Sequence, residues 1–186
     1  QEGSFSDNLQ EVLGEDYSKQ LLKNKSITTK DGKIRLETKR TFQSWKGPGN
    51  IIIGIYVTEE MLDQIDTVRN ASAIIIVPWH MDDLRVWMKT WNTELIGGVR
   101  EQPGVLIDDP RVMQALNGIV VSPPTGLLHD LDRKRAIENF RKLKKEGVSF
   151  EPDNLKAWAL QNKWGPTGAN ELRKIAADIL EGKRIR

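Results

Sequence analysis

Apolar residues near the start of the chain recur with a helical period, at Phe5, Leu9, Val12 and Leu13, and Gly14 is placed to stop that helix. Leu21 and Leu22 belong to a second short helix. The pattern then changes to alternation. Asp31-Gly32 is a turn signal between Ile27-Thr28-Thr29 and Ile34-Arg35-Leu36-Glu37-Thr38, which predicts a hairpin with Lys33, Arg35, Glu37 and Lys39 facing outward. Gly47-Pro48-Gly49 breaks the chain after it. Residues 1–49 therefore read as an accessory segment of helix plus β-hairpin.

Ile51 to Val57 is apolar on both parities, as is Ala73 to Val77, which predicts two strands covered on both faces. Between them Met61, Leu62, Ile65 and Val68 form a helical stripe, with Thr58 as its cap and Glu59 and Glu60 at its positive end. A second stripe follows at Leu84, Trp87, Met88 and Trp91, and Thr93-Glu94-Leu95-Ile96 has the composition of a third strand before Gly97-Gly98. Residues 50–108 thus predict a small parallel β-α-β-α-β unit, with residues 98–108 as a linker. From Asp109-Pro110 onward the period is helical throughout. Four helices are expected in 109–186, separated by Ser122-Pro123-Pro124-Thr125-Gly126, by Gly147, and by Trp164-Gly165-Pro166-Thr167-Gly168. The fold class expected is α/β, or α+β taken as a whole: an N-terminal hairpin, the parallel unit and a C-terminal all-helical lobe.

At 186 residues the chain is long enough to bury a sizeable core without staples. It contains no cysteine, so disulfides, thiolate nucleophiles and Cys-ligated metal sites are excluded, and a reducing, cytoplasmic setting is expected. No segment reads as a signal peptide or as the apolar run of about 20 residues that a membrane helix needs, so no membrane partner is expected. The net charge of +2 excludes a gross polycation but conceals an uneven distribution. Residues 50–111 carry 10 acidic and 5 basic side chains, whereas residues 130–186 carry 9 acidic and 14 basic. Two regions of opposite sign can simply attract each other.

Candidate chemistry concentrates in three places. Ligands of parallel sheets bind beyond the carboxyl ends of the strands, here Thr58-Glu59-Glu60 and Pro78-Trp79-His80-Met81-Asp82-Asp83. Neither turn carries a glycine-rich phosphate loop, so no nucleotide cofactor is expected, and none of any other kind. His80, Asp82 and Asp83 are weak candidates for a cation, since carboxylates in a first helical turn serve the helix dipole without a ligand. The second place is the stretch from Thr125 to Arg133, where Thr125, His129, Asp132 and Arg133 precede or open a helix whose free N–H groups suit an anion; the same Asp residues also suit plain capping. The third is basic: Arg133-Lys134-Arg135, Arg141-Lys142 and Lys144-Lys145 on one helix, of which Lys134, Arg141 and Lys145 are the candidates for contact with a polyanion. Trp87, Trp91 and Trp158 lie on apolar stripes and read as core, while Trp79 and Trp164 sit in loops and read as lid, interface or stacking residues.

The stretch Thr125-Gly126-Leu127, His129 and Asp132-Arg133, followed by Phe140-Arg141-Lys142-Leu143, Ala157-Trp158-Ala159 and Trp164, resembles an uncharacterised family of bacterial proteins without assigned function. The likeness covers residues 122–186, with an echo in Met61-Leu62-Asp63 and Arg69-Asn70, and departs at Pro123-Pro124 and Leu128. It implies a bacterial, intracellular origin and brings no activity or catalytic residues. The leading expectation is a non-enzymatic binding or regulatory protein, whose helical lobe presents a basic face to an acidic partner or nucleic acid. The alternative is an enzyme or a binder of a small anion or metal, with its site between Thr125–Arg133 and the strand ends near Trp79 and His80. A homo-oligomer formed through the hairpin or the exposed tryptophans is a third.

Overall fold

Residues 2–42, 49–68, 70–91, 93–98, 104–119, 127 and 129–185 are described by the structure, a computed structural model. The chain divides into two compact units, Gln1–Ser44 and Trp45–Arg186.

In the first unit, α1 (Glu2–Leu13) ends at Gly14, whose φ of +80° is open to glycine and lets α2 (Glu15–Asn24) turn back. The Ser18 hydroxyl donates to the Leu9 carbonyl at 2.8 Å and ties the two helices together. β1 (Ser26–Thr29) pairs antiparallel with β2 (Gly32–Arg35) around Asp31-Gly32, with Ile27 opposite Ile34. Leu21 and Ile27 are buried, but Val12 is 79% exposed, so the α1 stripe is only partly used.

The second unit begins with β3 (Asn50–Val57), crosses through α3 (Glu59–Ile65) and returns as β4 (Ala71–Pro78), parallel to β3 with Ile53 beside Ile75. Thr58 holds the N-cap position of α3 in extended conformation, without a side-chain cap bond. Gly54 is buried against α3; a Cβ there would lie 2.6 Å from Val57 Cγ1 and 3.0 Å from Ile76 Cδ1, so only glycine allows this approach. A 3-10 turn (Met81–Leu84) leads into α4 (Arg85–Thr90).

Two expectations are corrected here. The strands are covered on one face only: Ile51, Ile53, Ile55, Ile75 and Val77 are exposed, Ile51 by 63%. Thr93–Ile96 forms no strand; residues 93–95 are irregular and Ile96 enters a turn with Gly97, whose φ is +76°. The chain enters a turn at Ile96 and the left-handed Gly97, which ends the extended run after Leu95. The parallel sheet consequently has two strands among the described residues.

Four helices follow, α5 (Pro110–Asn117), α6 (Asp130–Lys145), α7 (Pro152–Gln161) and α8 (Pro166–Leu180). Three of them open on proline, which lacks the N–H that a first turn leaves unbonded. Asp109 adds a true cap on α5, its carboxylate accepting from the Arg111 N–H at 2.8 Å. The helices close around one core, with Leu116, Phe140, Leu155, Leu172 and Ile175 at its centre and Phe150 against Phe140 at 5.1 Å. Trp164 belongs to this core as well. It is 2% exposed and stands edge-on to Trp158 at 6.2 Å, so it is neither a lid nor a stacking platform. The Trp164 N–H bonds back to the Ala159 carbonyl, folding the α7–α8 loop inward. Among the described residues no helix is long and apolar enough to cross a membrane.

Candidate functional site

At the carboxyl ends of β3 and β4 the chain builds an aromatic corner. Tyr56 adopts a φ of +56°, a left-handed conformation rare for a bulky residue, where the register shifts between Ile55 and Val57. Its ring stands edge-on to Trp79 at 5.0 Å, and Trp79 in turn lies edge-on to His80 at 6.1 Å. Trp79 is 52% exposed and His80 is exposed at the N-cap of the 3-10 turn, without a cap bond. Asp82 and Asp83 follow in that turn. Among the described residues no group of three or more His, Asp or Glu side chains is disposed to hold a metal ion.

The residues expected around the start of α6 take different directions. Thr125 lies outside the described residues. His129 is the exposed N-cap of α6 and makes no side-chain cap bond. Asp132 is buried and faces Arg135 Nη1 at 3.5 Å, while Arg133 Nε donates to Glu171 of α8 at 3.0 Å. Arg133 thereby joins α6 to α8. Further along, Lys144 Nζ donates to the Ile179 and Leu180 carbonyls at 2.6 and 3.1 Å, the free carbonyl end of α8. Arg141 reaches the Ile185 carbonyl at 3.4 Å, and Lys134, Arg141 and Lys145 are all exposed.

A buried ion network joins the β-α-β segment to the helices. Lys156, on α7, is 1% exposed; its ammonium donates to Glu59 at 2.9 Å and to Asp63 at 2.8 Å, both on α3. Arg173, on α8, bridges Glu59 at 2.5 Å and Asp153 at 2.7 Å, Asn170 donates to Asp63 at 2.7 Å, and Arg85 of α4 donates to Asp153 at 2.6 Å. Burial works against the charge on Glu59, but the hydrogen bonds from Arg173 and Lys156 outweigh it and hold its carboxyl below the usual range. Part of the acidic excess of residues 50–111 is thus neutralised by Lys156 and Arg173.

Along β4 runs a groove of about 940 Å³, lined among the described residues by Ala71–Pro78 together with Leu84, Trp87, Met88, Trp91 and residues 93–96. Asp66 sits in its wall and accepts both indole N–H groups on one oxygen, from Trp87 at 3.0 Å and Trp91 at 3.1 Å. Burial pushes this carboxyl up to about 6, opposed by the two indole donors. The two tryptophans read as core are therefore only half given to packing, and Trp91 is 38% exposed. An apolar groove with one perturbed carboxylate has the make-up of a binding site. The sequence carries a trace of it in Trp87 and Trp91, one helical turn apart, but nothing that names Asp66 as their acceptor. Lys156 gives no such trace.

Residues 108–186 match the family described as Domain of unknown function (DUF1889). That stretch holds α5 to α8 and the core they share. Its residues include Phe140, Trp158 and Trp164, on which the resemblance to an uncharacterised family rests. No curated protein and no solved structure matches the chain. The ion network accordingly joins the matched stretch to α3 and α4, which precede it.

Proposed function

We propose that this protein is a non-enzymatic binding or regulatory protein that holds a polyanion, a nucleic acid or an acidic protein segment, on the outer face of α6. The observation that carries the reading is the placement of Lys134, Arg141 and Lys145, all exposed and on the side of α6 away from Ala136, Phe140 and Leu143. Glu138 is the acidic residue within that stripe. The contact between Arg141 and the Ile185 carbonyl sets the C-terminal stretch beside α6. A polyphosphate backbone needs such a row of cations and no base-reading geometry. The setting this reading takes is a bacterial cytoplasm, supported by the cysteine-free composition.

The test is retention on heparin and binding of a DNA duplex by the wild type and by the triple charge reversal K134E/R141E/K145E. Three phosphate contacts predict an affinity that falls about 40-fold between 50 and 200 mM salt, and the triple variant should lose retention at low salt. Unchanged retention by that variant sinks the reading.

A further inference from the structure

We infer that the open edge of β4 is a docking site for an extended segment of a partner protein, apolar at alternate positions and carrying a basic side chain. Every residue from Ala71 to Pro78 lines the groove. A groove lying on one face of a sheet would meet every second residue, so this one follows the strand's edge. No residue of β3 lines it, which puts it on the side of β4 away from its partner strand. Among the described residues β4 pairs with β3 alone. At ~3.3 Å per residue the edge is about 26 Å long, the reach of an extended peptide rather than of a compact small molecule. A strand edge presents a row of N–H and C=O groups, and an added strand uses them for affinity while its alternate side chains fill pockets.

The remaining walls state what those side chains are. Trp87, Met88 and Leu84 make one wall apolar. Among the described residues the ionisable groups lining the groove are Asp66 and Glu94, both acidic. Both indole donors use the same oxygen of Asp66, and among the described residues none reaches the other. A lysine or arginine on the incoming segment would find its acceptors there. Thr93–Ile96 lines the groove without strand structure of its own. This surface is separate from the basic face of α6 and opposite in sign, so either proposal can fail without the other.

The test uses the full chain and a fluorescein-labelled, end-capped peptide that alternates lysine and valine over the length of β4. Two controls accompany it: the same peptide N-methylated at alternate residues, and its glutamate–valine counterpart. Fluorescence anisotropy should show binding of the first and losses of about tenfold or more for both controls, each tenfold being the worth of one to two hydrogen bonds or a lost ion pair. Glu94→Lys should weaken the lysine–valine peptide several-fold at an unchanged melting temperature, because Glu94 is exposed. Equal binding of the N-methylated peptide would mean attraction by charge alone and would overturn the proposal, as would no binding at about 1 mM peptide. Two further results also overturn it: a dimer in sedimentation that the peptide dissociates, which gives the edge to a second copy, or slow hydrogen exchange along both edges of β4 in the peptide-free chain, which gives it to Thr93–Ile96.

Discussion

Lys156 offers the sharpest test of what holds the second unit together. Its ammonium is sealed at 1% exposure between Glu59 and Asp63, at 2.9 and 2.8 Å. Lys156→Met keeps the aliphatic length and removes the charge, which leaves two partly solvated carboxylates facing each other without the ammonium between them. Removing one partner of a buried ion pair costs roughly 3–5 kcal/mol. Here Glu59 retains Arg173 and Asp63 retains Asn170, so the lower end, ~3 kcal/mol, is expected. For a unit of this size that corresponds to a melting temperature lowered by about 6–12 °C. All 6 tryptophans lie in the second unit, so urea unfolding followed by tryptophan fluorescence reports on it alone. The double variant Lys156→Met/Asp63→Asn should recover at least ~1 kcal/mol over the single one, since it relieves one of the two stranded charges. A single-variant loss under ~1 kcal/mol, or strict additivity of the two changes, would refute the reasoning.

Asp66 predicts a pH dependence of definite sign. Its carboxyl is raised from 3.8 to about 6 in the folded chain, so the stability it contributes is full below pH 3.8 and is lost as pH rises through about 6, an interval worth ~3 kcal/mol. Asp66→Asn still accepts the two indole N–H groups but does not titrate; urea midpoints should show it more stable than wild type above pH 6, with the advantage vanishing near pH 4. A pH-independent difference would contradict the assignment. Glu59, held low by Arg173 and Lys156 against its burial, contributes in the opposite sense and loses stability as pH falls, so the Asp66 effect is read as the difference between Asp66→Asn and wild type at each pH. Gly54→Ala should cost about 1–3 kcal/mol by overpacking against Val57 and Ile76, read from the same unfolding curves. A neutral effect would mean that the sheet can move away from α3.

Much of this architecture was legible locally. A helix of the lobe shows itself through proline at its first position, as at Pro110 and Pro152, and through an apolar period such as Ile137, Phe140 and Leu143, whereas α8 starts at Pro166, inside the stretch expected to separate it from α7. Those signals act within a turn or two of chain, and each residue carries its own share of them. The hairpin at Asp31-Gly32 and the stop at Gly14 are of the same kind. Burial is not. Trp164 has the loop setting of an exposed residue, and it becomes core because the α7–α8 connection folds back onto Ala159. Ile51 and Ile53 have the composition of a doubly covered strand, and they stay exposed on a face that the described residues leave uncovered.

The candidate sites divide in the same way. The basic face of α6 is a property of one helix, and its spacing alone places Lys134, Arg141 and Lys145 together. Asp66 meets Trp87 and Trp91 only because α4 packs beside the end of α3, and Lys156 reaches Glu59 and Asp63 across more than ninety residues of chain. By itself, then, the sequence determined the helices, the strand pair, the hairpin and the sign of charge on each region, because these depend on neighbours along the chain. The tertiary structure alone decided which charges are buried, which tryptophans are core and which strand edge lies open, because these depend on surfaces brought together from distant segments.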